Sequence, residues 1–356
     1  MLNYTCKTCN LAYKGRKLYK EHINVCEKVH EQILSISNTL ASTHISSKCP
    51  KKCVIHKPII KWVGGKTQII TTLLEEFPKE IKNYHEIFLG GGSVLLGVLS
   101  YIKSGEIRIH GNVFAYDLNE PLIYLYKNIQ LYHDDLYHQV ETVIREFKEC
   151  TGDSVNRHAK DIDEAKQSQE NYYYWTRKVY NSLTLERQKT IYGSALFLFL
   201  NKTCFRGVFR VGPNGFNVPF GHYDNPEILN KKHLDDLQSL IKDVIFEVQD
   251  FSSSIVSASE GDFVYLDPPY APEKEKSFVG YTLNGFNATQ HALLFDLCHT
   301  SLTRKNVNMM MSNSDVQLTR DAFVSSEYSI VSLSCKRSIN SKKPGSKAKE
   351  IVVKNY

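Results

Sequence analysis

The chain has 356 residues, 42% hydrophobic and 23% charged, with 21 tyrosines and 17 phenylalanines, a composition that excludes a disordered or fibrous protein. Its formal net charge of +6 permits a polyanionic partner without demanding one. The nine cysteines are scattered, no charged-then-apolar leader opens the chain, and no run of about 18 apolar residues offers a membrane span. The expectation is a soluble, intracellular protein whose thiols serve metal or core rather than disulfides.

Residues 1–30 carry a metal-ligand spacing. Cys6 and Cys9 are separated by two residues, His22 follows after twelve more, and Cys26 after a further three, with Tyr13 and Tyr19 as aromatic core positions. This predicts a zinc finger: a thiolate hairpin, then a helix presenting two ligands four residues apart on one face. So short a unit buries too little apolar surface to fold alone, so Zn2+ would supply its folding energy. Cys26 stands where a second histidine is usual, with His30 as the alternative ligand. Lys14, Arg16, Lys17 and Lys20 suit phosphate contact rather than base reading, and a partner-binding or structural role stays open. Residues 31–56 read as a polar linker; Cys49, Cys53 and His56 within it lack a clear fourth ligand.

From Lys57 onward, short apolar strands alternate with helical stretches. YHEIFL (84–89) reads as a strand, the glycines after it turn the chain into a helix, and NVFAYD (112–117) is a second strand whose following helix carries a proline near its start. Residues 120–235 are helical and polar, with a glycine-rich loop, FRGVFRVGPNGFNVPFGHY. KDVIFEVQDF, DFVYLDPPY and VNMMMSN then read as strands, and after a basic loop, KRSINSKKPGSKAKE, a last strand EIVVKNY closes the chain. The alternation predicts an α/β fold with a doubly wound, Rossmann-like sheet from 57–119 and 236–356, into which the helical block 120–235 is inserted.

Three motifs carry chemistry. In FLGGGS (88–93), glycines between a strand and a helix let a ligand approach the backbone, and the helix amino end favours negative charge. The next strand ends in Asp117, where a carboxylate can take ribose hydroxyls. No GK[ST] follows the glycines, which excludes a Walker-type loop. In KWVGGK (61–66), Trp62 is either a buried anchor or a face for stacking a cofactor. The third is DPPY (267–270), at the end of the apolar strand FVYL. Asp267 and the Pro268 carbonyl can accept both hydrogens of an exocyclic amine, and Tyr270 can stack on its ring. Fixed acceptors of this kind increase the nitrogen's negative character as attack begins. Such a site asks for a base flipped out of its helix.

KWVGGK, FLGGGS, Asp117 and DPPY, in this order, resemble the Dam-like DNA adenine-N6 methyltransferases from about Lys57 to Tyr356. The resemblance implies S-adenosylmethionine lying over Phe88, Gly90 and Gly92, with Trp62 and Lys66 touching it from upstream and Asp117 holding its ribose. It also implies Asp250 and Phe251 at its adenine and Asp267 within reach of its amino end. It implies double-stranded DNA as partner and 120–235 as a target-recognition domain. There, loop 201–221 is the reading hairpin, Arg210 lies on a guanine of GATC, and Val208 and Pro219 lie near a thymine methyl. Arg206 departs from an asparagine common in relatives, which puts the exact recognition sequence in doubt. Lys336, Arg337, Ser338 and Asn340 resemble a DNA-backbone loop, and 278–286 a loop closing on the target base. The resemblance does not account for the finger. Cytosine-N4 methylation and a catalytically silent zinc-finger DNA-binding regulator are the alternative readings, and the oligomeric state, a monomer among the options, is open.

Overall fold

The computed structural model describes residues 53–272, 286–336 and 347–356, together with 3–5, 12–14, 17, 20 and 22. It forms two compact units, 1–53 and 54–356. In the small unit, Asn3–Thr5 pairs antiparallel with Ala12–Lys14, and residues 17, 20 and 22 are helical. Of the expected zinc ligands, only His22 lies among the described residues; Cys6, Cys9 and Cys26 lie outside them, as does Cys49. Among the described residues, His133, Asp134 and Asp235 are the one His/Cys/Asp/Glu group close enough to share an ion. The Lys231 ammonium, 2.9 Å from Asp134, already serves that group as its cation. No described helix is long and apolar enough to cross a membrane.

The large unit is built on a seven-stranded sheet. Its strands are β1 (Tyr84–Glu86), β2 (Val113–Asp117), β3 (Val244–Val248), β4 (Phe263–Leu266), β5 (Asn308–Ser314), β6 (Ser329–Lys336) and β7 (Lys347–Lys354), in the spatial order β3-β2-β1-β4-β5-β7-β6. The pairs among β1 to β5 are parallel, and β7 runs antiparallel to both β5 and β6. All four residues of β4 are buried, as an apolar strand covered on both faces requires. On one face Phe77 packs against Tyr84, Phe263 and Tyr265. On the other, Val264, Leu266, Met309, Met311, Ile351 and Val353 form a core with Phe251 and Phe295. β6 is a strand that the sequence reading did not assign; SIVSLSCK alternates serine with apolar residues too weakly to stand out.

Four helices position the site: α1 (Ser93–Ser104), α2 (Glu120–Glu149), α3 (Gln169–Ser182) and α4 (Ile191–Thr203). Asn119 caps α2 by accepting the Leu122 N–H, and Pro121 lies in its first turn. The helical dihedrals break once, at Tyr132 (φ −140°, ψ 36°). Before the break, Tyr126 stacks on Phe246 of β3 at 5.2 Å; beyond it, Phe147 meets Phe199 of α4 edge-on at 5.2 Å. One helix therefore reaches from the sheet into the block that carries the 201–221 loop.

Candidate active site and nucleic-acid interface

Chain connections leave β1 and β4 in opposite directions, so the carboxyl ends of these neighbours bound the crevice where doubly wound sheets take ligands. FLGGGS leaves β1 there, and DPPY leaves β4.

The glycine turn is pinned on both sides. Gly92, the cap of α1, has φ +71°, and a Cβ on it would lie 2.6 Å from the Tyr126 hydroxyl. That hydroxyl donates to the Gly91 carbonyl at 2.7 Å. A Cβ on Gly91 would lie 2.7 Å from Cβ of Trp62. The Gly90 N–H donates to Asp117 Oδ2 and the Asn119 N–H to Oδ1, each at 2.9 Å. Burial raises the Asp117 pKa while these N–H groups oppose it. Each oxygen keeps a further lone pair.

At the end of β4, the Lys66 ammonium sits between the Asp267 oxygens at 2.6 and 2.7 Å and also donates to the Gly64 carbonyl at 2.8 Å. Lys66 is only 4% exposed and Asp267 20%. Burial raises the Asp267 pKa, Lys66 pulls it down and Glu350 adds to the rise. The Tyr270 ring centroid lies 5.0 Å from the same ammonium, and its hydroxyl donates to Glu350 Oε2 at 2.8 Å. Burial first, then Asp267 and Glu350, hold Tyr270 firmly as a phenol. Pro268 is buried, and among the described residues nothing donates to its carbonyl.

Four residues that sequence reasoning passed over complete this edge. The Lys66 N–H donates to Ser93 Oγ at 2.9 Å. Asn313 Oδ1 accepts the Ala271 N–H at 3.0 Å, while its buried Nδ2 has no hydrogen-bond partner among the described residues. Glu350 reaches in from β7. Glu86, 2% exposed, accepts the Tyr84 hydroxyl at 2.8 Å; burial pushes its pKa up to about 8 against the pull of that bond, the Leu95 N–H and Lys66. For Glu86 and Glu350 the available signal was one acid in an otherwise apolar strand, YHEIFL or EIVV.

Phe88, Phe251 and Phe286 form an aromatic cluster beside the glycine turn, with centroids 5.6–6.1 Å apart. Asp250 caps the helix starting at Phe251, accepting the Ser252 N–H at 2.9 Å. Residues 278–285 of the expected closing loop lie outside the described residues; Phe286 is its described end.

The 201–221 loop forms a hairpin, Val211–Gly212 against Gly215–Phe216. Its root is fastened by backbone bonds to α3: Asn181 exchanges two with Phe216 (2.8 and 2.9 Å), and Tyr173 and Arg177 donate to the Val218 carbonyl (2.7 and 3.0 Å). Arg210 is exposed and donates to the Asn217 side chain at 2.7 Å. Arg206 is exposed in the left-handed region (φ 56°), its guanidinium 5.1 Å from the Phe205 ring. Val208 is half-buried, and exposed Pro219 accepts the Phe205 N–H at 2.8 Å. Trp62 stacks on Phe209 of this root, centroids 5.4 Å apart. Lys336 ends β6; Arg337, Ser338 and Asn340 lie outside the described residues.

The arrangement offers a carboxylate beside a ring-stacking tyrosine, a glycine turn with a ribose-type acid, and an exposed arginine hairpin. Residues 62–339 match the family model described as D12 class N6 adenine-specific DNA methyltransferase. The chain is 34% identical over 312 residues to the Type II methyltransferase M.MjaIII of Methanocaldococcus jannaschii, covering 84% of this chain and 99% of that one. It is 27% identical to the DNA adenine methylases of Haemophilus influenzae (83% of this chain, 93% of that one) and Escherichia coli (80% and 90%).

Proposed function

Because the chain belongs to the D12 class of N6 adenine-specific DNA methyltransferases, we propose that Asp267, Pro268 and Tyr270 hold the reacting adenine amine, flipped from duplex DNA at GATC or a related short site. The protein is an adenine-specific DNA methyltransferase, and the adenine specificity of the family sets aside the cytosine-N4 reading. The single observation that carries the site assignment is the buried Lys66–Asp267 pair beside Tyr270 at the sheet's switch point.

S-adenosylmethionine is the cofactor expected of this family, and the donor set fits it. Asp117 has lone pairs left for ribose hydroxyls, the Phe88–Phe251–Phe286 cluster gives an apolar bed for a purine, and Asp267 lies at the far end for an ammonium. Trp62, Lys66, Phe88, Gly90, Gly92, Asp117, Asp250, Phe251 and Asp267 would hold it. When bound, it supplies the methyl group as an electrophilic sulfonium carbon.

The rest is done by side chains of this protein. Asp267 and the Pro268 carbonyl accept the two amine hydrogens and turn the nitrogen lone pair out of conjugation. Tyr270 stacks on the base, and the Asp267 charge steadies the positive charge that develops on N6. Burial alone would favour a protonated, poorly accepting Asp267, so Lys66 keeps it ionised; to receive the amine, the ammonium must yield at least one carboxylate oxygen. Positioning supplies most of the acceleration.

Residues 57–119 and 236–356 form the catalytic domain in this reading, and 120–235 the target-recognition domain. Arg210 would read a guanine bidentately, Val208 and Pro219 a thymine methyl, and Arg206 would fill the space the flipped base leaves. Lys336, Arg337, Ser338 and Asn340 would contact the backbone. The finger, with Zn2+ on Cys6, Cys9, His22 and Cys26, would add phosphate contacts; the hairpin-then-helix order of its described residues supports that reading.

The test is methyl transfer from labelled S-adenosylmethionine to two duplexes that differ only in one GATC. Incorporation into that duplex alone, as N6-methyladenine, is expected. Equal labelling of both would remove the GATC assignment and leave the enzyme.

A further inference from the structure

Trp62 has two neighbours of different kinds. Its indole lies against the glycine turn, where a Cβ on Gly90 would come within 3.0 Å of Cδ1 and Nε1. Its ring also stacks on Phe209, with planes 18° apart. Phe209 sits between Val208 and Arg210 and packs on Phe197 of α4 at 5.4 Å and on Phe216, in the returning strand of the hairpin, at 5.7 Å. The main chain makes the same junction. Lys61 donates its N–H to Asn201 Oδ1 and accepts from Asn201 Nδ2, both at 2.8 Å, and a Cβ on Gly207 would fall 2.3 Å from Cβ of Lys61.

Residues 61 and 62 thus form a strap clamped between the glycine turn and the hairpin root. Simple core packing would bury both rings, yet Trp62 and Phe209 are each partly exposed. The asparagine bonds fix the strap to α4, and the ring stack connects it to Phe209, the residue next to Arg210. Sliding the turn against the hairpin would break that aromatic contact.

We propose that Phe209 is a positioning residue whose stack on Trp62 ties the cofactor turn to the reading hairpin, so that cofactor and cognate duplex strengthen each other's binding. This rests on the reading above, in which the turn holds the cofactor and the hairpin reads DNA. Coupling between two sites is reciprocal, so it can be measured from either side.

The probe is S-adenosylhomocysteine, titrated with and without a GATC duplex, alongside labelled-duplex anisotropy with and without the probe. In the native protein each ligand should tighten the other by about 5–10-fold, a modest coupling of the usual size. Phe209→Leu, which keeps apolar volume but removes the ring, should bring that factor to about 1, and Phe209→Tyr should restore it. Trp62 emission, read in a Trp175→Phe background, should respond to duplex in the native and Tyr proteins and not in the Leu protein. Native-size coupling in Phe209→Leu, or none in Phe209→Tyr, overturns the proposal. A native protein that binds both ligands without coupling overturns it while leaving the site reading intact. A native protein that binds neither removes that reading and the proposal together.

Discussion

The turn after β4 and the hairpin of residues 204–220 are both irregular segments at the sheet's working edge, yet they are held in opposite ways. At Asp267–Tyr270 the side chains proposed to act on the substrate are themselves the structural ones: Asp267 is paired with Lys66 and Tyr270 with Glu350, in surroundings where an unpaired partner is costly. In the hairpin, backbone bonds to α3 and a floor of phenylalanines hold the loop, while Arg206, Arg210 and Pro219 are left exposed. On the proposed assignment, the turn is therefore hard to change without damaging the fold, whereas the exposed hairpin side chains can be exchanged on a fixed frame.

The largest expected effect falls on the turn. Asp267→Ala should cut single-turnover methyl transfer by about 10³-fold or more, the scale of losing a preorganised electrostatic group, with duplex affinity by anisotropy little changed. A rate remaining at about a tenth of the original would break the assignment of the amine to Asp267, a loss of only about 1.4 kcal/mol.

Next is the buried acid behind it. Glu86 binds its proton more tightly in the folded protein than in the unfolded chain, its pKa rising from 4.5 to about 8. Stability should thus be highest below about pH 4.5 as far as this group is concerned, fall between 4.5 and 8, and level off above. Glu86→Gln should flatten that decline by an amount on the order of a few kcal/mol, read from urea melts at pH 5, 6.5 and 8. Parallel curves for the two proteins would show that Glu86 ionises freely.

On the hairpin side, Arg210→Ala should lower discrimination between GATC and a scrambled duplex by about 1–3 kcal/mol, with melting temperature unchanged. An equal loss on both duplexes would make Arg210 a phosphate contact. The smallest effect is expected for Tyr270→Phe, which deletes one hydrogen bond to Glu350 and keeps the stacking ring, costing about 1 kcal/mol in stability and a few-fold in rate.

What the sequence disclosed follows the same division. The apolar strands and the glycine turn were legible because periodicity and φ > 0 leave marks in composition, and the order of the motifs pointed to the cofactor edge. The β1 and β2 strands fall within the predicted 84–89 and 112–117. Glu350 and Asn313 were not legible as partners, since pairing across 80 residues to Tyr270 and 42 to Ala271 leaves no local trace. Neither was the Lys66–Asp267 ion pair, although both residues were singled out separately. Trp62 was expected either as an anchor or as a stacking face, and the stack on Phe209 belongs to neither expectation. β6 escaped because a strand of alternating serines at the sheet's edge lacks an apolar stripe.

The break at Tyr132 divides a helix of 30 residues, about 45 Å along its axis. Its first part starts three residues after Asp117 and packs on the sheet; its second packs on the helices to which the hairpin is fastened. A single non-helical residue at the junction makes a natural splice point for building chimaeras. A relative's recognition block joined there, with the return crossing placed after 235, would keep the Tyr126–Phe246 contact and the Asn119 cap in the host. In such hybrids, cofactor and duplex would be expected to strengthen each other's binding only where the strap at 61–62 finds an aromatic ring to meet it.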